Sequence, residues 1–234
     1  FFFFFIIIML CLGACFALNS DVLLLLQIKP ILSGDGDGDG DGDGNPSLST
    51  WTLHTPLCTW AGITWSFSNG TLLNCTMPNN NNNNTSLSND PSIQAYSIAL
   101  TSARLSGSLP RALSRLPALR SLDLSNNSLS GGIPASLLAQ TLGPIQSLRL
   151  SSNQLSGAIP ASVWDLCPHL RDLRLDHNSF SSEIPAPVAA AARSPCASLR
   201  TLDLSSNLLS GPVPSLLGEF ANLTQLDLSN NRLR

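Results

Sequence analysis

The stretch Leu119-Arg120-Ser121-Leu122-Asp123-Leu124-Ser125-Asn126-Asn127-Ser128-Leu129-Ser130-Gly131-Gly132-Ile133-Pro134 decides the architecture, because it returns almost unchanged along the chain. Equivalents begin at Ile145, Leu170, Leu199 and Leu223, with a degenerate copy at Ala95. The asparagine position is held by Asn127, Asn153, Asn178, Asn207 and Asn231, and by Ala103 in the first copy, at spacings of 24, 26, 25, 29 and 24 residues. Such a period means stacked coils, since one unit cannot bury its own leucines. Leu122 and Leu124 alternate with Ser121, Asp123 and Ser125, so one face of a short strand enters the interior and the other lines a surface. Asn127 lies where the chain turns inward, its amide placed to satisfy backbone groups of its own turn and of its neighbour. Gly131 supplies the geometry of the next bend and Pro134 fixes the exit. Leu113, Leu137, Val163 and Leu216 are expected to fill the opposite side. An amphipathic helical protein is excluded, because the two-residue leucine spacing recurs with proline in every copy except the sixth.

The pattern L-x-x-L-x-L-x-x-N-x-L resembles the leucine-rich repeat, and the segments Leu129–Pro134, Leu155–Pro160 and Leu209–Pro214 (L-S-G-x-I-P) resemble its plant-specific subclass. The resemblance implies an α/β fold: a right-handed curved solenoid with a parallel concave sheet, about six repeats over residues 93–234, the last truncated. Upstream, Leu48-Ser49-Thr50-Trp51 and Cys58-Thr59-Trp60-Ala61-Gly62-Ile63-Thr64-Trp65 resemble the family's N-terminal cap, with Trp65 where a second cysteine is usual and Cys75 ten residues later. Asp21 is expected to N-cap a helix from Val22 to Lys29 that Pro30 ends. The cap thus spans 18–92. Its Trp65-Ser66-Phe67-Ser68-Asn69-Gly70…Cys75 variant, with Val163-Trp164-Asp165-Leu166-Cys167 and Ser194-Pro195-Cys196, resembles the plant transmembrane kinase-like proteins, receptor-like kinases with a catalytically inactive cytoplasmic domain.

Residues 1–18 carry no charge. Eighteen apolar residues sit at the threshold for a membrane span. The shift to small residues, with Ala17 two beyond Cys15, instead favours a signal peptide over 1–17. No initiator methionine or basic segment precedes it, so the reading expects a start upstream of Phe1. A mature chain in an oxidising compartment retains Cys58, Cys75, Cys167 and Cys196, which allow three pairings. Zinc is not supported, since none of the four form the close C-x₂₋₄-C pair that presents two thiolates to one ion. Cys167 and Cys196 each stand three residues before the first leucine of adjacent repeats, so the register pairs them and leaves Cys58 for Cys75.

Charged residues make up only 12% of the chain and the net charge is −3. Five aspartates, Asp35, Asp37, Asp39, Asp41 and Asp43, fall in one Gly-Asp run. There is a single lysine, so a nucleic-acid footprint is excluded. The run 34–44 lacks the glutamate that closes a calcium loop and the G-x-G-x-x-G of a phosphate loop. It reads as a low-complexity insertion, as does 79–84. Sequons stand at Asn69, Asn74, Asn83, Asn84, Asn126 and Asn222. His54, His169 and His177 have no catalytic or metal-ligating companion motif, so no enzyme, cofactor or metal is expected.

Binding is expected on the concave face, where side chains are free of packing and repeat in register. The row after the second leucine reads Ala99, Asp123, Arg149, Arg174, Asp203, Asp227. The fourth repeat departs furthest from consensus, with Asp172, Arg174, Asp176 and His177 beside Arg149. The arginines can take a peptide carboxylate or sulfate, or pair internally with Asp123, Asp172 and Asp203. The resemblance implies the extracellular part of a receptor-like protein that binds a peptide or partner ectodomain, membrane-attached through a span beyond Arg234. A secreted inhibitor of a wall-degrading enzyme and a structural wall protein are the alternatives. The chain is also expected to lack a C-terminal cap, leaving Leu226, Leu228 and Leu233 at an exposed edge.

Overall fold

The computed structural model describes residues 19–33, 48–53, 55–73, 90–138, 144–186 and 196–234. The expected signal peptide, both low-complexity insertions, His54, Cys75 and the sequons at Asn74, Asn83 and Asn84 lie outside them. A cap helix α1 (Ser20–Ser33) leads into strands β1 (Ile63–Phe67) and β2 (Ile93–Ala99), which pair antiparallel. From β2 the ladder turns parallel, through β4 (Ser121–Asp123), β6 (Ser147–Arg149), β8 (Asp172–Arg174), β10 (Thr201–Asp203) and β12 (Gln225–Asp227). The x-L-x core of each repeat is thus a three-residue strand whose leucine is buried in β4, β6, β8 and β10.

The L-S-G-x-I-P segments form a second parallel sheet that the sequence reading did not assign. It comprises β3 (Ser106–Ser108), β5 (Ser128–Gly131), β7 (Gln154–Ala158), β9 (Ser179–Glu183), β11 (Leu208–Gly211) and β13 (Arg232–Leu233), in consecutive order. Its glycines Gly107, Gly131, Gly157 and Gly211 have φ between 78° and 91°. In the fourth repeat Ser182 occupies that position with φ 72°. The convex side is made of 3₁₀ turns at Arg111–Arg115, Ala161–Leu166 and Ser215–Glu219, and of the short helix α2 (Ala135–Leu138). Leu113, Leu137 and Val163 are buried there as expected. In the last turn Leu217 is the buried residue and Leu216 is half-buried, because the inward position falls three residues after the proline, as in Leu113 after Pro110, Leu137 after Pro134 and Val163 after Pro160.

The asparagine ladder is complete from Asn127 to Asn231. Asn127 Oδ1 accepts from the Leu105 N–H at 2.9 Å, while its Nδ2 donates to the carbonyls of Leu100 and Leu124, both at 2.8 Å. Asn153, Asn178, Asn207 and Asn231 repeat the arrangement one coil further each time.

Two expectations for the cap are corrected. Asn19, not Asp21, caps α1: its Oδ1 accepts from the N–H groups of Asp21 (2.9 Å) and Val22 (3.3 Å). Its Nδ2 reaches the carbonyls of Asp90 and Ile93. Asp21 is buried and accepts the Ala95 N–H at 2.9 Å, pinning the helix to β2. Nor does Pro30 end the helix. It lies inside α1, which continues to Ser33. Beneath α1, Trp51 stacks on Trp60 at 5.8 Å and Trp60 meets Trp65 edge-on at 5.7 Å. Trp51 and Trp65 send their indole N–H groups to the carbonyls of Ala61 and Leu57, so these buried rings leave no polar atom unpaired.

Cys167 and Cys196 form a disulfide with Cα atoms 4.3 Å apart, as the register requires. Cys58 is also disulfide-bonded. At the far end Leu226 is 46% exposed and Leu228 and Leu233 are partly buried.

Candidate ligand-facing site on the concave sheet

The parallel register places Ala99, Asp123, Arg149, Arg174, Asp203 and Asp227 in one row across β2 to β12. The row before it holds Ser121, Ser147, Asp172, Thr201 and Gln225. Both rows point away from the leucine core by simple strand alternation.

Asp172 is the hinge of the polar cluster. Its Oδ2 accepts from Arg149 Nε at 2.6 Å and its Oδ1 from Arg174 Nε at 3.0 Å, so one carboxylate holds two neighbouring guanidinium groups. Asp123 lies 3.9 Å from Arg149 Nη1. Asp203, expected as a third partner, is not one. Its Oδ1 accepts from the N–H and Oγ of Ser205, a local turn that consumes the acceptor. Asp227 does the same with Ser229, and those bonds hold its carboxyl below the usual aspartate value. The arginines thus pair internally through Asp172 and Asp123, two of the three aspartates expected as partners.

Asp176 and His177 form a second, smaller cluster just beyond β8. Asp176 accepts from Ser151 Oγ of the preceding coil, and His177 Nδ1 donates to its other oxygen at 2.9 Å. His177 takes φ 52°, which carries its ring to an exposed position. The side chains of Arg149 and Arg174 remain 44% and 37% exposed while Asp172 is 14% exposed. A partly buried carboxylate beneath two more accessible guanidinium groups leaves their Nη atoms without a hydrogen bond among the described residues, with Arg149 Nη1 in a longer ion pair to Asp123. Such a fork suits a planar carboxylate or sulfate.

Among the described sequons, Asn69, Asn126 and Asn222 are exposed. Asn126 Nδ2 donates to Ser102 Oγ and Asn222 Nδ2 to the Ala197 carbonyl, each at 2.6 Å. Asn69 engages only through its oxygen, to the N–H and Oγ of Thr71. No group of His, Cys, Asp and Glu suited to a metal ion occurs among the described residues.

This repeat geometry, with its asparagine ladder and two parallel sheets, defines the fold class: a leucine-rich-repeat solenoid. The Leucine Rich Repeat family model matches residues 118–139, 144–166 and 198–220. The chain is 39% identical over 232 residues to the kinase-like protein TMKL1 of Arabidopsis thaliana, an alignment covering 98% of this chain and 33% of that protein. It thus spans a third of the length of that relative. The Arabidopsis receptor kinase HAESA, solved with the peptide hormone IDA and the co-receptor SERK1, superposes with a TM-score of 0.68 at 30% identity, over 93% of this chain and 30% of that one. The ectodomain of the receptor kinase SOBIR1 from Arabidopsis thaliana covers 92% of this chain and 96% of its own, with a TM-score of 0.63. At 22% identity that likeness is one of fold.

Proposed function

We propose that this chain is the extracellular, non-catalytic recognition region of a plant receptor-like kinase whose kinase portion is inactive, and that it binds a peptide or a partner ectodomain in cell-surface signalling. The observation that carries the reading is the Arg149–Asp172–Arg174 fork, which brings the only two arginines of the concave strands together on one carboxylate, in a chain similar over nearly its whole length to a kinase-like protein. In this reading residues 1–17 direct secretion, 18–92 cap the solenoid, and 93–234 present the repeats. The ligand meets Arg149, Asp172, Arg174, Asp176 and His177. Of the described sequons, Asn69 is the best placed for glycosylation, since its amide nitrogen is uncommitted. No described helix is long and apolar enough to cross a membrane, so attachment to the cell surface would come from sequence outside these residues.

The test is expression in plant cells with a C-terminal tag. A glycosidase-sensitive species in the secretory route is expected, capturing receptor ectodomains or secreted peptides in a manner that the Arg149→Glu/Arg174→Glu double variant abolishes. An unglycosylated cytosolic protein would overturn the localisation. Capture indifferent to both arginines would overturn the site.

A further inference from the structure

A second polar surface lies along the flank of the concave sheet, at the residue that enters each strand. The backbone ties these positions into a ladder: Arg120 N–H donates to the Tyr96 carbonyl, Gln146 to Arg120, Arg171 to Gln146, Arg200 to Arg171 and Thr224 to Arg200, all at 2.7–2.9 Å. One row therefore reads Tyr96, Arg120, Gln146, Arg171, Arg200, Thr224. The segments that lead into it, 116–120, 144–146, 168–171, 197–200 and 221–224, contain three arginines and His169 and no acidic residue. Arg120, Arg171 and Arg200 form no ion pair among the described residues, and Arg171 and Arg200 are exposed. The one neighbouring acid in sequence, Asp172, is committed to Arg149 and Arg174 on the concave face.

Two features make this row more than scattered surface charge. The Cys167–Cys196 disulfide joins the segments that carry Arg171 and Arg200, holding two like charges in adjacent coils. Ser198 Oγ reinforces the same edge through the Pro168 carbonyl at 3.3 Å. At the other end Arg120 lies over the Tyr96 ring at 5.9 Å. There the row opens into a cavity of about 190 Å³ of mixed lining, where Phe67, Tyr96, Pro117 and Pro144 stand beside Ser66 and Gln94. That is below the ~300 Å³ of small-molecule sites, and suits one side chain of a larger ligand.

We propose that this flank binds an extended acidic segment of a partner protein, with one apolar side chain seated in the Phe67–Tyr96 cavity and carboxylates laid over Arg171 and Arg200. Three strand steps of about 4.8 Å separate Arg120 from Arg200, roughly the reach of four or five extended residues at ~3.3 Å each. The sequons at Asn69, beside the cavity, and Asn222, one coil past Arg200, bracket the strip and would limit it to that length. The surface is distinct from the concave fork, and the proposal stands whether or not the fork binds a ligand. A cavity of side-chain size, walled by the Phe67 and Tyr96 rings, favours a peptide over an acidic polysaccharide, which has no side chain to fill it.

The experiment uses the full secreted, disulfide-intact chain and a dye-labelled peptide of one phenylalanine, two glycines and four glutamates. Saturable binding that weakens with added salt is expected. It should fall about tenfold or more in Arg171→Gln/Arg200→Gln, which removes two charge-assisted contacts. Replacing the peptide's phenylalanine by glycine should weaken it as well. Arg111→Gln/Arg115→Gln, on the convex turn, should leave binding unchanged, and matched melting curves would show each variant folded. Binding equal in the parent and the Arg171/Arg200 variant, or lost equally in the convex variant, would overturn the proposal. So would displacement by acidic oligogalacturonate from a site indifferent to the phenylalanine, which would make the flank a polysaccharide surface.

Discussion

At the residue scale coils two to six each stand on one asparagine, whose amide satisfies backbone groups of its own turn and of the preceding coil. Asn207 is the most enclosed of the ladder, 6% exposed, and serves the Phe180 N–H together with the carbonyls of Leu175 and Leu204. Asn207→Ala should cost about 3 kcal/mol, since a buried donor and its acceptors are left without partners. Asn231→Ala, in the more exposed last coil, should cost about 1 kcal/mol. Urea titration of the two variants measures the difference, and equal losses would mean the ladder contributes only locally. Ser182 offers the opposite case. It holds φ 72° where four other coils have glycine, a conformation that disfavours any residue with a Cβ. Ser182→Gly should raise stability by roughly 0.5–1 kcal/mol, the relief of strain exceeding the entropy glycine adds to the unfolded chain. The ladder was legible in the sequence, since Asn recurs at a fixed place. The fork was legible only in part: Arg149, Arg174 and Asp172 stood out as departures from consensus. That Asp203 would turn to Ser205 instead depends on a local Asp-x-Ser turn that the row-by-row reading ignored.

At the element scale the cap shows how a local rule yields to a tertiary contact. Asp21 is a good capping residue by type. Asn19 takes that role because its amide can cap α1 and grip the Asp90 and Ile93 carbonyls at once. Asp21 is then released to bind the Ala95 N–H. Burial is the largest influence on its carboxyl and raises it above the ordinary 3.8, against the smaller opposing pull of its hydrogen bonds to Ala95 and Ser20. The folded state therefore binds this proton more readily than the unfolded chain. The stabilisation from protonating it is present below the ordinary value and is lost as pH rises through the raised one. Asp21→Asn should flatten that part of the stability profile between the ordinary and the raised value, read as urea midpoints from pH 4 to 7. A profile identical to the parent's would show that Asp21 stays ionised when folded. The second sheet escaped the sequence reading for a different reason. Its strands are built from Ser and Gly, residues of low strand preference, and only their repetition in adjacent coils supplies the partners.

At the scale of the whole molecule, stability is a sum of coil terms and nearest-neighbour contacts, so a staple between two coils governs how far unfolding spreads. The sequence disclosed the solenoid, because period and leucine spacing are properties of a line. It disclosed the Cys167–Cys196 bridge by the same logic. The flank of arginines stayed hidden, since Arg120, Arg171 and Arg200 are far apart in the chain and become a row only when the coils stack. The bridge closes a separation of 29 residues around the longest repeat. Loop-closure entropy for such a ring is about 3–4 kcal/mol. In Cys167→Ser/Cys196→Ser the fourth and fifth coils lose that tie, while the cap, with its tryptophan stack and the disulfide at Cys58, is untouched. The coils from β8 onward should then open before the rest. Amide exchange should rise over 172–233 and remain slow in β2, β4 and α1, and calorimetry should resolve two transitions where the parent shows one. A single transition shifted as a whole would show instead that the two parallel sheets couple all coils tightly enough for the bridge to act on the entire stack.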